Sequence, residues 1–273
     1  MEILGGVERS SILKIMTWNI LDEGCIDFVN PTEYYFDIPV DNLLMKNRYP
    51  IINRWLKIYN SDVIMLQEAT RDVCRRLIAD FTDYRVMPYT ANEANTESAY
   101  GNVTMLKKGV FRSIKHKKYK FKKSNAAFSV TTAVRMSDGV RFAFINIHLD
   151  AYKATTRAAE AQTVINLVRA WCKGGSFCAV CAGDFNTDKV PVHKKFAAWT
   201  LTVDEAKSTY LCEDPMLDYI YIKGCGKLNV LVRKGKIDNK AAGKKNCMRY
   251  TIDHYGSDHH PVIATVSVSA RFE

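Results

Sequence analysis

The sequence predicts an α/β protein whose strands pair mainly antiparallel. Three features carry this reading. Apolar stretches of strand length, such as Asp62-Val63-Ile64-Met65-Leu66-Gln67-Glu68, end in polar residues. Longer segments repeat their apolar residues at helical spacing. Between Tyr84 and His148, strand-like segments follow one another through tight turns such as Ser137-Asp138-Gly139. This succession argues for antiparallel pairing and against a doubly wound parallel sheet.

In chain order, Leu13-Lys14-Ile15-Met16-Thr17-Trp18-Asn19-Ile20-Leu21 reads as the first strand, with Asn19 near its C-terminal end. Asp22 to Val40, with Pro31, Pro39 and several aromatics, reads as a long loop of the kind that often serves function. A helix is expected from about Lys46 to Asn60, with Ile51, Ile52, Trp55, Leu56 and Tyr59 on its inner side. The next strand closes on Glu68, and Thr70 is placed to cap a helix through Leu77 and Ile78.

Strands are then expected at Tyr84–Met87, Asn102–Leu106, Ser113–Phe121, Phe128–Met136 and Val140–His148. A helix follows over Arg157–Lys173. An apolar strand, Ser176-Phe177-Cys178-Ala179-Val180-Cys181-Ala182, leads into Gly183-Asp184-Phe185-Asn186. Side chains at i and i+2 of an extended chain share a face, so Asp184 and Asn186 are expected to point together. A short helix near Val192–Trp199, a strand at Leu217–Ile222 and a final strand after Ser257-Asp258-His259 complete the chain.

With 47% hydrophobic and 11% aromatic residues, the 273-residue chain can build a core. We find no linker, low-complexity tract or internal repeat. The expected organisation is a leader over residues 1–12 and a single domain over 13–270. No apolar run approaches the roughly 18 residues of a membrane span. The N-terminal residues, with Glu2 and no apolar stretch, do not resemble a signal peptide, so an intracellular protein (cytoplasm or nucleus) is expected, without membrane attachment and as a monomer. Cys178 and Cys181 fall inside a buried strand, three residues apart and so on opposite faces, which reads as reduced core thiols rather than a zinc or redox pair.

The net charge of +10 is segregated. Residues 107–123 hold nine Lys/Arg and no acid, and residues 223–249 hold nine more with Asp238 as the one acid. The rest of the chain carries 21 Lys/Arg against 28 Asp/Glu and is acidic. Two basic segments on an acidic body point to a polyanionic partner, DNA or RNA. In Lys118-Tyr119-Lys120-Phe121-Lys122, alternation puts lysines on one face and aromatics on the other, as also expected of an edge strand protected by charge.

Five strand-like segments deliver groups that chemistry can use: Asn19, Glu68, His148, Asp184 with Asn186, and Asp258 with His259. In order, the chain reads Thr-Trp-Asn, Leu-Gln-Glu, Asn-Ile-His-Leu, Gly-Asp-Phe-Asn, Leu-Asp-Tyr-Ile and Ser-Asp-His. This series resembles the endonuclease/exonuclease/phosphatase superfamily, metal-dependent phosphodiesterases related to pancreatic deoxyribonuclease, from about Lys14 to Val268.

The resemblance implies a four-layer α/β sandwich of two mainly antiparallel sheets flanked by helices, with the site where strand ends converge. It implies Mg²⁺, or Mn²⁺, held by Glu68 with Asn19 close by and Asp258 as a further ligand. Such a sparse protein ligand set suits magnesium, which keeps several waters. Asp184 would orient or deprotonate the attacking water, and Asn186 would bind a phosphate oxygen. His259 would contact the phosphate, oriented by Asp218, and His148 would stabilise the transition state.

His148 stands where abasic-site endonucleases of this superfamily have tyrosine. Asn-Ile-His-Leu-Asp with Arg157 and Gln162 beyond is more similar to the tyrosyl-DNA phosphodiesterase branch, although Asp188 falls one residue earlier than that branch's acid. The expected function is hydrolysis of phosphodiesters in nucleic acid or in a 5′-tyrosyl adduct. Alternatives are a poly(A) deadenylase, an inositol-phosphate or sphingolipid phosphohydrolase, and an inactive nucleic-acid-binding scaffold. His116 and His193, lying among lysines, are expected to be solvated, and Arg157 to be structural.

Overall fold

The computed structural model describes residues 12–26, 35, 37–91, 100–122, 124, 126–175, 177–202, 209–210, 216–226, 228–237 and 246–270. The expected leader therefore lies outside the described residues, apart from Ile12. The described residues begin with strand β1 (Ile12–Asn19) and continue through helices α1 (Val40–Leu43) and α2 (Met45–Tyr59) to β2 (Val63–Ala69). Helix α3 (Arg71–Asp80) leads to β3 (Tyr84–Val86), β4 (Thr90–Ala91), β5 (Gly101–Lys107), β6 (Phe111–Lys120), β7 (Ala127–Arg135) and β8 (Arg141–His148). Then come α4 (Ala154–Cys172), β9 (Phe177–Asp184), α5 (Val190–His193), β10 (Thr200–Leu201), β11 (Asp218–Cys225), β12 (Leu228–Ile237), α6 (Cys247–Tyr255) and β13 (Val262–Ala270).

Two sheets form. The first has seven strands in the order β12-β13-β1-β2-β5-β3, with β4 also paired to β5; the second has six, in the order β10-β11-β9-β8-β7-β6. Among the described pairings only β1–β2 and β8–β9 are parallel. Each parallel pair is joined through a helix, α2 in the first sheet and α4 in the second, as parallel strands require a crossover. The expected sandwich, mainly antiparallel and flanked by helices, is what the chain builds.

Alternation explains the layers. Leu13, Ile15, Val63 and Met65 meet Phe142, Phe144, Val180 and Ile220 between the sheets. The intervening Met16, Trp18, Ile64 and Leu66 turn outward to Ile52, Leu56 and Leu77 of the helical layer. Strands buried on both faces read as near-continuous apolar runs, which is why these were legible. Helix α3 starts where expected, the Thr70 hydroxyl accepting the Val73 amide at 3.2 Å.

At the cleft end of the core, polar side chains bridge the sheets. Gln67 Nε2 donates to Asn146 Oδ1 at 2.8 Å and to Thr17 Oγ1 at 3.0 Å. Asn146 Nδ2 in turn donates to the carbonyls of Leu66 and Val103, each at 3.1 Å. Fully bonded amides tolerate burial and fix the mutual position of β2 and β8.

The basic segments occupy sheet edges. Strand β6 borders the second sheet, with Tyr119 and Phe121 packed on Phe128 while Lys118 and Lys120 are exposed, as alternation predicts. Strand β12 borders the first sheet, and residues 238–245 of the second basic segment lie outside the described residues. Helix α6, which sequence reading passed over as a charge run, buries Met248, Thr251, Ile252 and Tyr255 at helical spacing.

Cys178 and Cys181 are free and buried, as expected. Cys172 and Cys225 form a disulfide tying the last turn of α4 to the end of β11. His116 and His193 are not solvated: Thr131 Oγ1 lies 2.9 Å from His116 Nδ1, and Tyr221 Oη 2.8 Å from His193 Nδ1. Packing against β7 and β11 drew both rings inward. No helix among the described residues is long and apolar enough to cross a membrane.

Candidate active site

The C-terminal ends of β1, β2, β8 and β9 open onto a cleft of about 520 Å³ lined by Glu68, His148, Asp184, Asn186, Asp258 and His259, among others. Register accounts for one half of it. His148 pairs with Asp184 across β8–β9, and Asp184 pairs with Asp218 across β9–β11, so the three stand in one row. The row depends on Gly183 (φ 147°), where a Cβ would lie 1.8 Å from the Ile147 carbonyl oxygen. Only glycine permits that approach of β9 to β8.

Strand β9 ends at Asp184, so alternation does not extend to Asn186. Asn186 adopts a left-handed conformation (φ 51°) and its amide N–H donates to Asp184 Oδ1 at 2.7 Å. The two side chains share the cleft because of this turn, not because of an extended chain. Asn186 Nδ2 also donates to the Leu149 carbonyl at 2.8 Å, joining the two loops that leave the parallel strands.

The other half is built from irregular backbone. Leu21 and Glu68 are both left-handed, each with φ 54°, and the β2–β5 register shifts between Leu66 and Ala69. Glu68 is thereby turned into the cleft while Gln67 faces the core. Glu68 Oε2 accepts the Asp22 amide at 2.9 Å. Burial, then the charge of Glu68, raises the Asp22 carboxyl to about 6. Asn19 lies between the acids, its Nδ2 donating to Glu68 Oε1 at 2.8 Å and to Asp184 Oδ2 at 3.0 Å.

His259 crosses from the first sheet to the second, its Nδ1 2.7 Å from Asp218 Oδ2. Burial opposes its charge, but the carboxylates of Asp218, Asp258 and Asp184 outweigh it and raise the imidazole well above its usual value. Burial also raises the Asp218 carboxyl, against the pull of His259. The two titrate as a pair, and at neutral pH the proton belongs on the imidazole. His259 Nε2 then faces Asp184 Oδ2 at 3.8 Å, and His148 Nε2 faces the same oxygen at 3.6 Å. These gaps exceed a hydrogen bond, so neither imidazole is bonded directly to Asp184.

The eight residues singled out in the sequence therefore meet, though not all as expected. Donor atoms of Glu68, His148 and Asp184 lie within 4.8 Å of one another. Two hard carboxylate oxygens in close approach suit a divalent cation such as Mg²⁺ or Mn²⁺. Asn19 turns its amide nitrogen to both acids and positions them. Asp258 also lines the cleft, its Oδ2 accepting Tyr35 Oη at 2.7 Å.

Sequence reading missed several supports. The buried Arg48 guanidinium donates to the carbonyls of Leu43, Ile20, Leu21 and Gly256, clamping the loop after β1 to the turn before Asp258. Nothing in the sequence distinguishes it from an exposed helix arginine. Ser257 Oγ donates to the Asn19 carbonyl at 2.7 Å. Tyr210 packs on His259 with ring centroids 4.7 Å apart. Arg157, held to be structural, donates to the Asp150 carbonyl at 2.9 Å. Gln162 bonds Asn166 one turn along α4 and Lys195 just after α5, and Asp188 is exposed.

The model of the Endonuclease/Exonuclease/phosphatase family matches residues 16–259, from β1 to the histidine paired with Asp218. The chain belongs to this family. Its members hydrolyse phosphate esters, typically with divalent metals, and the clustered acids and histidines of the cleft accord with that chemistry.

Solved structures share the family fold at low identity. The human Nocturnin catalytic domain with bound sulfate is 17% identical, covers 95% of each chain and has a TM-score of 0.72. D. rerio TDP2, complexed with single-strand DNA product, is 14% identical over 94% of this chain and 99% of its own, with a TM-score of 0.68. A Bacteroides thetaiotaomicron mannosyl-6-phosphatase is 13% identical over 94% and 99%, with a TM-score of 0.69. No curated protein matches the sequence.

Proposed function

We propose that this chain is a metal-dependent phosphodiesterase acting on nucleic acid. The observation that carries the reading is the cationic His259, held by Asp218 and facing Asp184 Oδ2 across 3.8 Å, with Glu68 on the far side of Asn19. Glu68, with Asp184 and His148 close by, would hold a divalent cation. Such an ion supplies neutralisation of charge developing on the phosphoryl oxygens.

The chain's own groups would do the rest. Asp184 Oδ1 accepts the Asn186 amide and Oδ2 the Asn19 amide, and Oδ2, the oxygen that faces both imidazoles, would use its remaining lone pair to accept a proton from the attacking water. His259 Nε2–H donates to a phosphoryl oxygen as the transition state forms, and His148 Nε2 offers a second contact. Asn186 faces the phosphate from the β9 turn.

The charge layout supports a polymeric anion over a small ester. Exposed Lys118, Lys120 and Lys122 lie on and just beyond β6, whose following loop brings Ser124 and Ala126 to the cleft wall. TDP2 of the same fold binds single-strand DNA product, which makes a strand-like substrate a natural choice here.

The test compares single-stranded DNA, poly(A) RNA, a 5′-phosphotyrosyl oligonucleotide, and mannose and inositol phosphates, with and without EDTA. Cleavage of an oligonucleotide is expected, abolished by EDTA and lowered about 10³-fold by Asp184→Asn. Its affinity should fall with salt by roughly 0.7–0.9 log units per neutralised phosphate. EDTA-resistant cleavage would remove the metal from the mechanism, and preference for a sugar phosphate would replace the substrate class.

A further inference from the structure

One wall of the cleft shows a feature that phosphate chemistry does not use. Tyr152 is 92% exposed, yet its loop is firmly held. Asp150 Oδ1 accepts the amides of both Tyr152 and Lys153, at 2.9 and 2.5 Å. The Asp150 amide donates to Glu160 Oε2 at 2.8 Å, and its carbonyl accepts Arg157 Nη1 at 2.9 Å. Glu160 is itself buried, and its other oxygen accepts Ser124 Oγ at 2.5 Å, tying this loop to the one after β6. One buried carboxylate thus joins two walls of the cleft.

Two polar groups of this wall are engaged in holding it: Ser124 Oγ is bound to Glu160, and Asp150 Oδ1 to two backbone amides. What the wall offers a ligand is the Tyr152 ring with the Lys153 side chain beside it, both lining the cleft. Tyr100 continues the aromatic surface inward. Its ring lies 6.0 Å from that of His148, and it lines the same cleft as Tyr152. A polyol headgroup needs hydrogen-bonding partners, whereas a flat π system needs an aromatic face. With the backbone held, binding has only the ring's own rotamer left to order, and stacking on it tolerates any base.

We infer that Tyr152, presented by the Asp150–Glu160 clamp, is a stacking site for a nucleobase next to the scissile phosphate, with Lys153 meeting a neighbouring phosphate. This rests on the nucleic-acid reading above and narrows it to substrates whose bases are unstacked, that is, single strands or strand ends.

The experiment uses a short single-stranded oligonucleotide and the same strand with tetrahydrofuran abasic units flanking the cleaved linkage. Both are assayed with wild type, Tyr152→Ala and Tyr152→Phe. Wild type should favour the base-bearing strand by about tenfold or more in KM. Tyr152→Ala should lose that preference, and Tyr152→Phe, which keeps the ring, should retain it. Equal KM values for both strands in wild type, or a preference that persists in Tyr152→Ala, would overturn the stacking site while leaving the nuclease reading intact. Cleavage of neither strand, with turnover of a sugar or inositol phosphate, would overturn both.

Discussion

The two sheets bring their residues to the cleft by different means. In the second sheet, His148, Asp184 and Asp218 are neighbours in one row of regular pairing, so the hydrogen-bond ladder itself sets their spacing. In the first sheet, Glu68 arrives on a left-handed residue at a break in register, and Asn19 is followed by left-handed Leu21. Non-glycine residues in that region cost about 1–3 kcal/mol each and persist only where their surroundings hold them. Arg48 and Ser257 do the holding here. The contrast separates a rigid row, suited to aligning water and phosphate, from a strained and carboxylate-rich side whose charges a cation would relieve.

Breaking the row should have the largest effect. Gly183→Ala puts a Cβ 1.8 Å from the Ile147 carbonyl oxygen at a φ of 147°, so β8 and β9 must separate. The expected result is a loss of about 3 kcal/mol in chemical denaturation, with activity lost as well. An unchanged unfolding midpoint would show that the row is not held by that close approach.

A smaller effect is expected from altering charge within the row while keeping its shape. Asp218→Asn removes the carboxylate that favours the cationic imidazole, so the His259 pKa falls. Turnover should drop about 10²-fold or more, and the limb where activity declines as His259 deprotonates should move to lower pH. The stability contributed by that raised imidazole is complete below its unfolded pKa of about 6.5 and fades as pH rises through the folded value. In Asp218→Asn the fading should begin at lower pH. A pH–rate profile that keeps its alkaline limb would separate His259 from the chemistry.

The strained side gives the smallest and most specific signal. With Asp22 raised to about 6, the metal-free protein should lose stability as pH climbs from about 4 to 6, because the unfolded carboxyl ionises first. Glu68→Gln removes the second cause of that rise and should flatten the loss. Mg²⁺ should raise the melting temperature of wild type and much less that of Glu68→Gln. Equal metal-induced shifts in the two proteins would place the cation away from Glu68.

Much of this site was legible because strands buried on both faces cannot hide a polar ending. Asn19, Glu68, His148 and Asp184 stood out as interruptions of apolar runs; the last three line one cleft, and Asn19 bonds two of them from behind. Gly183-Asp184-Phe185-Asn186 was legible for a partly mistaken reason, since a left-handed turn rather than alternation brings Asn186 beside Asp184. Arg48, Tyr35 and Asn146 were not legible as supports. Their roles are carbonyl clamping, a hydroxyl bond to Asp258 and an inter-sheet amide bridge, and each exists only between segments far apart in the chain.

Local physics, then, determined the elements and their polar ends: side-chain period, turn residues and the Thr70 cap act over a few residues and can be read there. The tertiary structure alone decided which ends meet, which acids Asn19 bridges and which imidazole Asp218 holds. It also paired Cys172 with Cys225 and left His116 and His193 half-buried and bonded. Those outcomes depend on register, burial and charges brought together from distant segments, and no window of sequence contains them.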